Sequence, residues 1–274
     1  MAAITAADVN KLRLQTGAGM MDCRNALLES DGDFEKAIDY LRKKGQKVAA
    51  KRSDRETKEG VAITKTSADQ TKGVVISLSC ETDFVAKNEE FVQFAQAVVD
   101  VALDQQPETV EALTALEVNG EVIANKINDL VGKIGEKITL SRYERVNAPY
   151  VASYIHGNYR MGVLVGFSKP IPEEAAKDIA MQIAAMNPIA VDESSVPADV
   201  IAREKEIAIE QVKAEGKPAE MAEKIAQGKL NKFFKEQTLL AQPFVKDNSK
   251  SIAAYLKSVD AEAKITGFRR VQLG

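Results

Sequence analysis

One pattern occurs twice in this sequence, and that repetition restricts the fold more than any other feature. Val61-Ala-Ile-Thr-Lys-Thr66 and Gly73-Val-Val-Ile-Ser-Leu-Ser79 are β-rich runs divided by the polar turn at 68–72. A short connector follows, then Phe91, Phe94, Ala95, Val98 and Ala102 at helical spacing. Later Val151-Ala-Ser-Tyr-Ile155 and Met161-Gly-Val-Leu-Val-Gly-Phe167 flank Gly157-Asn158, a hairpin signal. Beyond Lys169-Pro-Ile-Pro172 another helix carries Ala176, Ile179, Ala180 and Ile183. Hairpin, connector, helix, twice over, predicts an α+β core of two related halves. Two more helices are expected between the copies, the second with Ile123, Ile127, Leu130 and Ile134, ending at Gly135.

Around this core the chain changes character at both ends. The first 45 residues read as three short helices. Thr5-Ala-Ala-Asp8 has the spacing of a capping box, Val9 and Leu12 begin a buried stripe, and Gly17 is a stop. A second helix is expected from about Met21 to Glu29. A third starts at Asp31-Gly-Asp33, with Phe34, Ala37, Ile38 and Leu41 on one face, and ends at Gly45. Residues 46–59 are charged and nearly bare of large apolar side chains, so they read as a linker, helical or flexible. Residues 199–237 are helix-favouring and broken once, at Glu215-Gly-Lys-Pro218. Narrow seams of Ile201, Ala208 and Val212, then Met221, Ile225 and Phe233, predict two antiparallel helices that project from the body. The tail predicts an amphipathic helix over 249–259 and a closing strand over 265–273. The implied divisions are 1–55, 56–147 and 148–274, the last including the hairpin 199–237.

Composition removes several function classes. Lys and Arg total 37 against 40 Asp and Glu, a net charge of −3, which gives no bulk attraction for nucleic acid. Zero Trp and 5% aromatics argue against a base-stacking platform. No apolar run reaches the roughly 18 residues a membrane span needs, and 1–10 lack the features of a secretion signal. Two cysteines, Cys23 and Cys80, are too few for a disulfide scaffold or a Cys-built zinc site, so a reduced, cytoplasmic setting is expected. There is no phosphate-cradling Gly-x-x-x-x-Gly-Lys-Ser/Thr loop, and the glycines of Gly132-Lys-Ile-Gly135 suit a helix cap better. No Ser or Cys stands in a recognisable arrangement with a base. The single histidine, His156, falls within a hairpin and reads first as structural. No catalytic group, metal ligand set or cofactor is expected.

Three segments stand out against that background. Thr16-Gly-Ala-Gly-Met-Met-Asp-Cys23 puts two adjacent methionines after a flexible turn. Neighbouring helix positions point about 100° apart, so both cannot be deep in a small core. Either one is core, or the pair offers a soft contact surface. In Cys80-Glu-Thr-Asp-Phe-Val85, Phe84 is either a lid over the core or an apolar tip. The polar flanks, with Val85 and Phe91 available as cover, favour the tip. Lys43, Lys44, Lys47, Lys51 and Arg52 form a basic run, but Asp54, Glu56 and Glu59 follow closely and it reads as a solvated helix end.

These residues, with Ile134-Gly-Glu136, Tyr154-Ile-His-Gly157, Gly216-Lys-Pro218 and Gln242-Pro-Phe244, stand in the order found in the bacterial elongation factor Ts family, which the whole chain resembles. The resemblance implies a guanine-nucleotide exchange factor for elongation factor Tu, the GTPase that carries aminoacyl-tRNA. It would bind the GDP-bound and nucleotide-free forms, with no cofactor, direct nucleic acid or membrane contact. It also implies a ubiquitin-associated-like three-helix N-terminal domain. Thr82, Asp83, Phe84 and Val85 match the segment associated with dislodging the partner's Mg²⁺, Phe84 being the intruding side chain. Ile134 and Gly135 match a helix end near the phosphate-binding loop, and His156 a contact to the same nucleotide domain. Met20 and Met21, with Leu12 or Arg13 behind them, match a patch that docks on a partner helix. By the same resemblance, no counterpart of the extra C-terminal helical module of some members is expected after Gly267-Phe-Arg-Arg270. Whether the helical hairpin forms a homodimer or touches the GTPase stays open. An adaptor that binds a protein ligand through the N-terminal unit is the alternative, and it leaves Thr82–Val85 and His156 without a role.

Overall fold

The computed structural model describes residues 4–214 and 219–274. The break expected at Glu215-Gly-Lys-Pro218 and the side chain of Met221 lie outside the described residues. The architecture is mixed helix and sheet, of the α+β class.

Three helices open the chain: α1 (Ala6–Thr16), α2 (Met20–Glu29) and α3 (Phe34–Lys51). Thr5 and Asp8 form the capping box, the Thr5 hydroxyl accepting from the Asp8 N–H at 3.2 Å while the Asp8 carboxylate accepts from the Thr5 N–H at 3.0 Å. Val9, Leu12, Cys23, Ala26, Leu27 and Ala37 close a small core. One expectation fails here. Gly45 does not end the third helix, which runs on through residues assigned to a linker. The glycine serves close approach instead: a Cβ at Gly45 would lie 2.8 Å from the Asn128 carbonyl oxygen, and one at Gly132 only 3.0 Å from the Gly45 Cα.

The chain continues as β1 (Glu59–Thr66), β2 (Lys72–Cys80), the short α4 (Asp83–Ala86) and α5 (Glu89–Gln105). Then come α6 (Val110–Thr114), the two-residue strands β3 (Glu117–Val118) and β4 (Glu121–Val122), α7 (Ile123–Ile134) and β5 (Thr139–Asn147). The second pattern is β6 (Tyr150–His156), β7 (Met161–Phe167) and α8 (Glu173–Met186), followed by α9 (Ala198–Ala214) and α10 (Ala219–Gln237). Closing the chain are β8 (Pro243–Phe244), β9 (Asp247–Ser251), α11 (Ile252–Val259) and β10 (Ile265–Gln272). Residues 249–251 are thus the end of a strand, not the first turn of the tail helix. That helix starts at Ile252, with the Ser251 hydroxyl as its cap.

The two larger sheets have the orders β1-β2-β5 and β10-β7-β6. In each, the second strand of a hairpin is central and a later strand adds to its far side. Every residue of β2 after Lys72 and all of β7 are buried, which is why both read as continuous apolar runs instead of alternating ones. Buried Ser79 is satisfied by the Ser141 hydroxyl at 2.7 Å.

The chain divides into two compact units. One comprises Met1–Ile63, Ile76–Tyr143 and Val271–Gly274, the other Thr64–Val75 and Glu144–Arg270. Within the second, α8 packs on β6 and β7, burying Ile179 and Ile183 with Val163, Val165 and Phe167. There α9 and α10 also pack on each other through Ala208, Val212, Ala226, Leu230 and Phe234. The inner aromatic is Phe234, not the expected Phe233, whose ring meets it edge-on at 5.8 Å. Among the described residues no helix is long and apolar enough to cross a membrane.

Candidate functional site

Among the described residues of the first unit, Phe84 is the most exposed large apolar side chain, 83% accessible, and its immediate neighbour Val85 is buried. A single helical turn produces that contrast, because consecutive residues point about 100° apart. Val85 and the fully buried Phe91 cover the junction between β2 and α5, so the core needs no lid from Phe84. The connector is therefore more ordered than a polar loop. Asn88 caps α5 by accepting from the Phe91 N–H at 3.3 Å. Asp83 accepts from the Lys87 ammonium at 2.6 Å, one turn on, which holds its carboxyl below the usual range.

Two carboxylates pin the base of this turn. Gly135 ends α7 in the left-handed conformation, φ +79°, which suits glycine and turns the chain so that Glu136 follows at once. Glu136 accepts from the Glu81 N–H at 3.2 Å, the Thr82 N–H at 3.0 Å and the Thr82 hydroxyl at 2.7 Å. Glu81 returns the contact by accepting from the Lys137 N–H at 2.6 Å. It also pairs with Arg52 at 2.9 Å and Arg55 at 2.8 Å. Burial opposes ionisation of Glu81, but the Lys137 N–H and the two guanidiniums outweigh it and bring its pKa down to about 2. The Lys137 ammonium donates to the carbonyls of Ser53 and Arg55. The segment read as a linker is thus tied down at 52–55, and Arg52 is a structural ion-pair partner. Sequence reasoning gave Glu81 and Glu136 no role. The signal was a carboxylate placed directly after a helix-ending glycine.

The methionine pair lies in the same unit. Met20 and Met21 are 57% and 63% exposed, so neither is core. Arg13 is exposed as well. Leu12, expected behind the pair, is fully buried among Val9, Cys23 and Leu27 and offers no surface of its own. Leu14, 81% exposed, is the apolar residue that α1 presents, and it was missed. Its clue was an apolar residue off the Val9–Leu12 stripe, two positions beyond Leu12. The turn after α1 reaches α7, because a side chain at Gly17 would run into the end of Lys133. Lys133 in turn pairs with Glu90 at 2.5 Å. Half-buried Ile134 and Gly135 come next in the chain, so the methionine turn, the end of α7 and the Phe84 turn form a connected series.

His156 belongs to the second unit. It ends β6 opposite Met161, exposed, with its Nδ1 2.9 Å from the Tyr154 hydroxyl. The turn beyond it carries positive φ at Gly157, Asn158 and Tyr159.

Neither cysteine of the first unit is activated for nucleophilic attack. Burial, with Glu136 and Glu59 nearby, pushes the Cys80 thiol up to about 12, and burial also raises Cys23. What the first unit offers is contact: a rigidly based aromatic tip and a separate soft apolar patch.

Residues 81–274 match the family model described as elongation factor TS, a match that begins at the pinned Glu81. The elongation factor Ts of Flavobacterium psychrophilum is 54% identical over 276 residues and that of Christiangramia forsetii 50% over 276, each covering all of both chains. That of Amoebophilus asiaticus is 53% identical, covering 99% of both. With a family match over most of the chain and full-length relatives at this identity, the chain belongs to the elongation factor Ts family.

Proposed function

We propose that this chain releases GDP from elongation factor Tu by binding the GTPase, seating Phe84 near its nucleotide site and dislodging the partner's Mg²⁺, so that GTP can rebind. The family itself carries the coarser statement, nucleotide exchange for elongation factor Tu in translation. The observation that carries the finer one is the 83% exposed Phe84 ring on a base pinned by Glu136 and Glu81. Burying such a ring in a partner is worth roughly 1.5–3 kcal/mol.

The mechanism is reciprocal coupling. A GTPase holds its nucleotide by backbone amides of a phosphate loop and by Mg²⁺ bridging phosphate oxygens to the protein. A partner that favours a conformation with poor Mg²⁺ geometry weakens nucleotide by the factor that nucleotide weakens the partner. Tenfold faster release requires only about 1.4 kcal/mol of barrier reduction, within reach of one buried Phe. On this reading Asp83 and Val85 set the tip, Thr82 its base, and Ile134 and Gly135 press near the phosphate loop. His156 contacts the same nucleotide domain. Residues 1–55 act as a ubiquitin-associated-like docking domain through Met20, Met21 and Arg13, and 56–147 and 148–274 are the two related core halves. The test is release of fluorescent GDP from preloaded elongation factor Tu. The chain should raise the rate in proportion to its concentration until saturation, and an unchanged rate overturns the proposal.

A further inference from the structure

We infer that Glu136 is a positioning residue for exchange, fixing the direction in which Phe84 projects by holding residues 81 and 82 from outside their own helix. The inference rests on the Phe84 reading above and adds a residue to it.

The geometry starts from the length of α4. Four residues cannot sustain a helix alone, because nucleation costs more than one turn of hydrogen bonds returns. Its entry must therefore be fixed by neighbours. A Thr at the N-cap ordinarily turns its hydroxyl onto its own helix, but Thr82 makes no such cap bond. The hydroxyl instead donates to Glu136 Oε1 at 2.7 Å, while Oε2 takes the N–H groups of Glu81 and Thr82. Three donors on two consecutive residues converge on one carboxylate, and together they fix the orientation of the peptide just before the turn. Phe84 follows two residues later and is 83% exposed, with no packing of its own to aim it. Val85 and the Asp83–Lys87 pair hold the far side of the turn, so Glu136 sets the near side.

Glu136→Gln separates this role from a general need for charge. The glutamine carbonyl can still accept both N–H groups, and the Thr82 hydroxyl can rotate to accept from the amide. Glu136→Ala removes all three acceptor contacts. Because the sequence has no tryptophan, Phe84→Trp places one reporter on the tip. In the full chain at a temperature where it is folded, time-resolved anisotropy of that indole should decay faster with Glu136→Ala and return to the parent decay with Glu136→Gln. Release of GDP from elongation factor Tu at saturating chain should fall about tenfold in Glu136→Ala and stay within about threefold in Glu136→Gln. In a Phe84→Ala background, Glu136→Ala should change release by less than about twofold, because the residue acts through Phe84. An unchanged indole decay in Glu136→Ala overturns the positioning role, as does an equal loss of exchange in both backgrounds. If Phe84→Ala alone leaves exchange intact, the Phe84 reading fails, and the indole decay still decides whether Glu136 positions the tip.

Discussion

Phe84 and Val85 are adjacent in a four-residue helix, yet one faces solvent and the other closes the core. On the reading proposed above the exposed ring works from a fixed base, to which Glu81 contributes through Lys137, Arg52 and Arg55. A carboxylate held at about 2 against an ordinary 4.5 contributes roughly 3 kcal/mol at neutral pH. Its folded pKa is lowered, so the contribution is complete above about pH 4.5 and is lost as pH falls toward 2. Chemical denaturation of the parent and of Glu81→Gln should therefore show a constant stability gap from pH 7 to 5, closing below 4.5. A gap that stays constant as pH falls below 4.5 toward 2 contradicts the ion-pair account. The methionines make a different prediction. Because Met20 and Met21 are exposed on a separate three-helix core, replacing both with Ser should weaken the complex with elongation factor Tu. The release rate at saturating chain should largely survive. An unchanged dissociation constant removes their docking role.

At the scale of elements, α3 and α7 cross with Gly45 against Gly132, flanked by Arg42, which pairs with Glu121 at 3.1 Å. In an open helix interior, Gly→Ala would stabilise by about 1 kcal/mol. Here the new Cβ meets the Asn128 carbonyl, a backbone atom that cannot step aside. Gly45→Ala should instead destabilise by about 1–3 kcal/mol in urea denaturation, and a neutral or stabilising result means the crossing opens freely. The same glycine marks where sequence reading stops working. Local rules make Gly45 a terminator, and only tertiary contact makes it a spacer. Both hairpins and the helices after them were legible because continuous β-branched runs bounded by turn residues, and an apolar period of 3.6, survive without tertiary information. β5 was not. Its buried residues Leu140, Tyr143 and Val146 fall three apart among charged neighbours, a spacing that matches neither a strand nor a helix face cleanly. Of the site, the exposed Phe84 and the methionine pair could be anticipated from polar flanks and adjacency. The Glu81–Glu136 clasp was marked only by a carboxylate after a helix-ending glycine, and its partner lies 55 residues away, a pairing no local pattern specifies.

For the whole molecule, family membership describes a protein that works on another protein's nucleotide. The sequence contains no phosphate-cradling loop, so calorimetric titration of the isolated chain with GDP or GTP should show no stoichiometric binding. Heat at a one-to-one ratio would contradict the exchange reading as stated. The central claim is that Phe84 acts in the partner and not in the fold. Thermal melts and fluorescent-GDP release from elongation factor Tu, taken on one preparation of Phe84→Ala, test it most directly. A buried Phe truncated to Ala costs about 3–5 kcal/mol, whereas a ring this exposed should cost well under 1 kcal/mol. The account predicts a melting temperature within a few degrees of the parent and a GDP-release rate at least tenfold lower at saturation. A large fall in melting temperature with normal exchange from the remaining folded protein would contradict it.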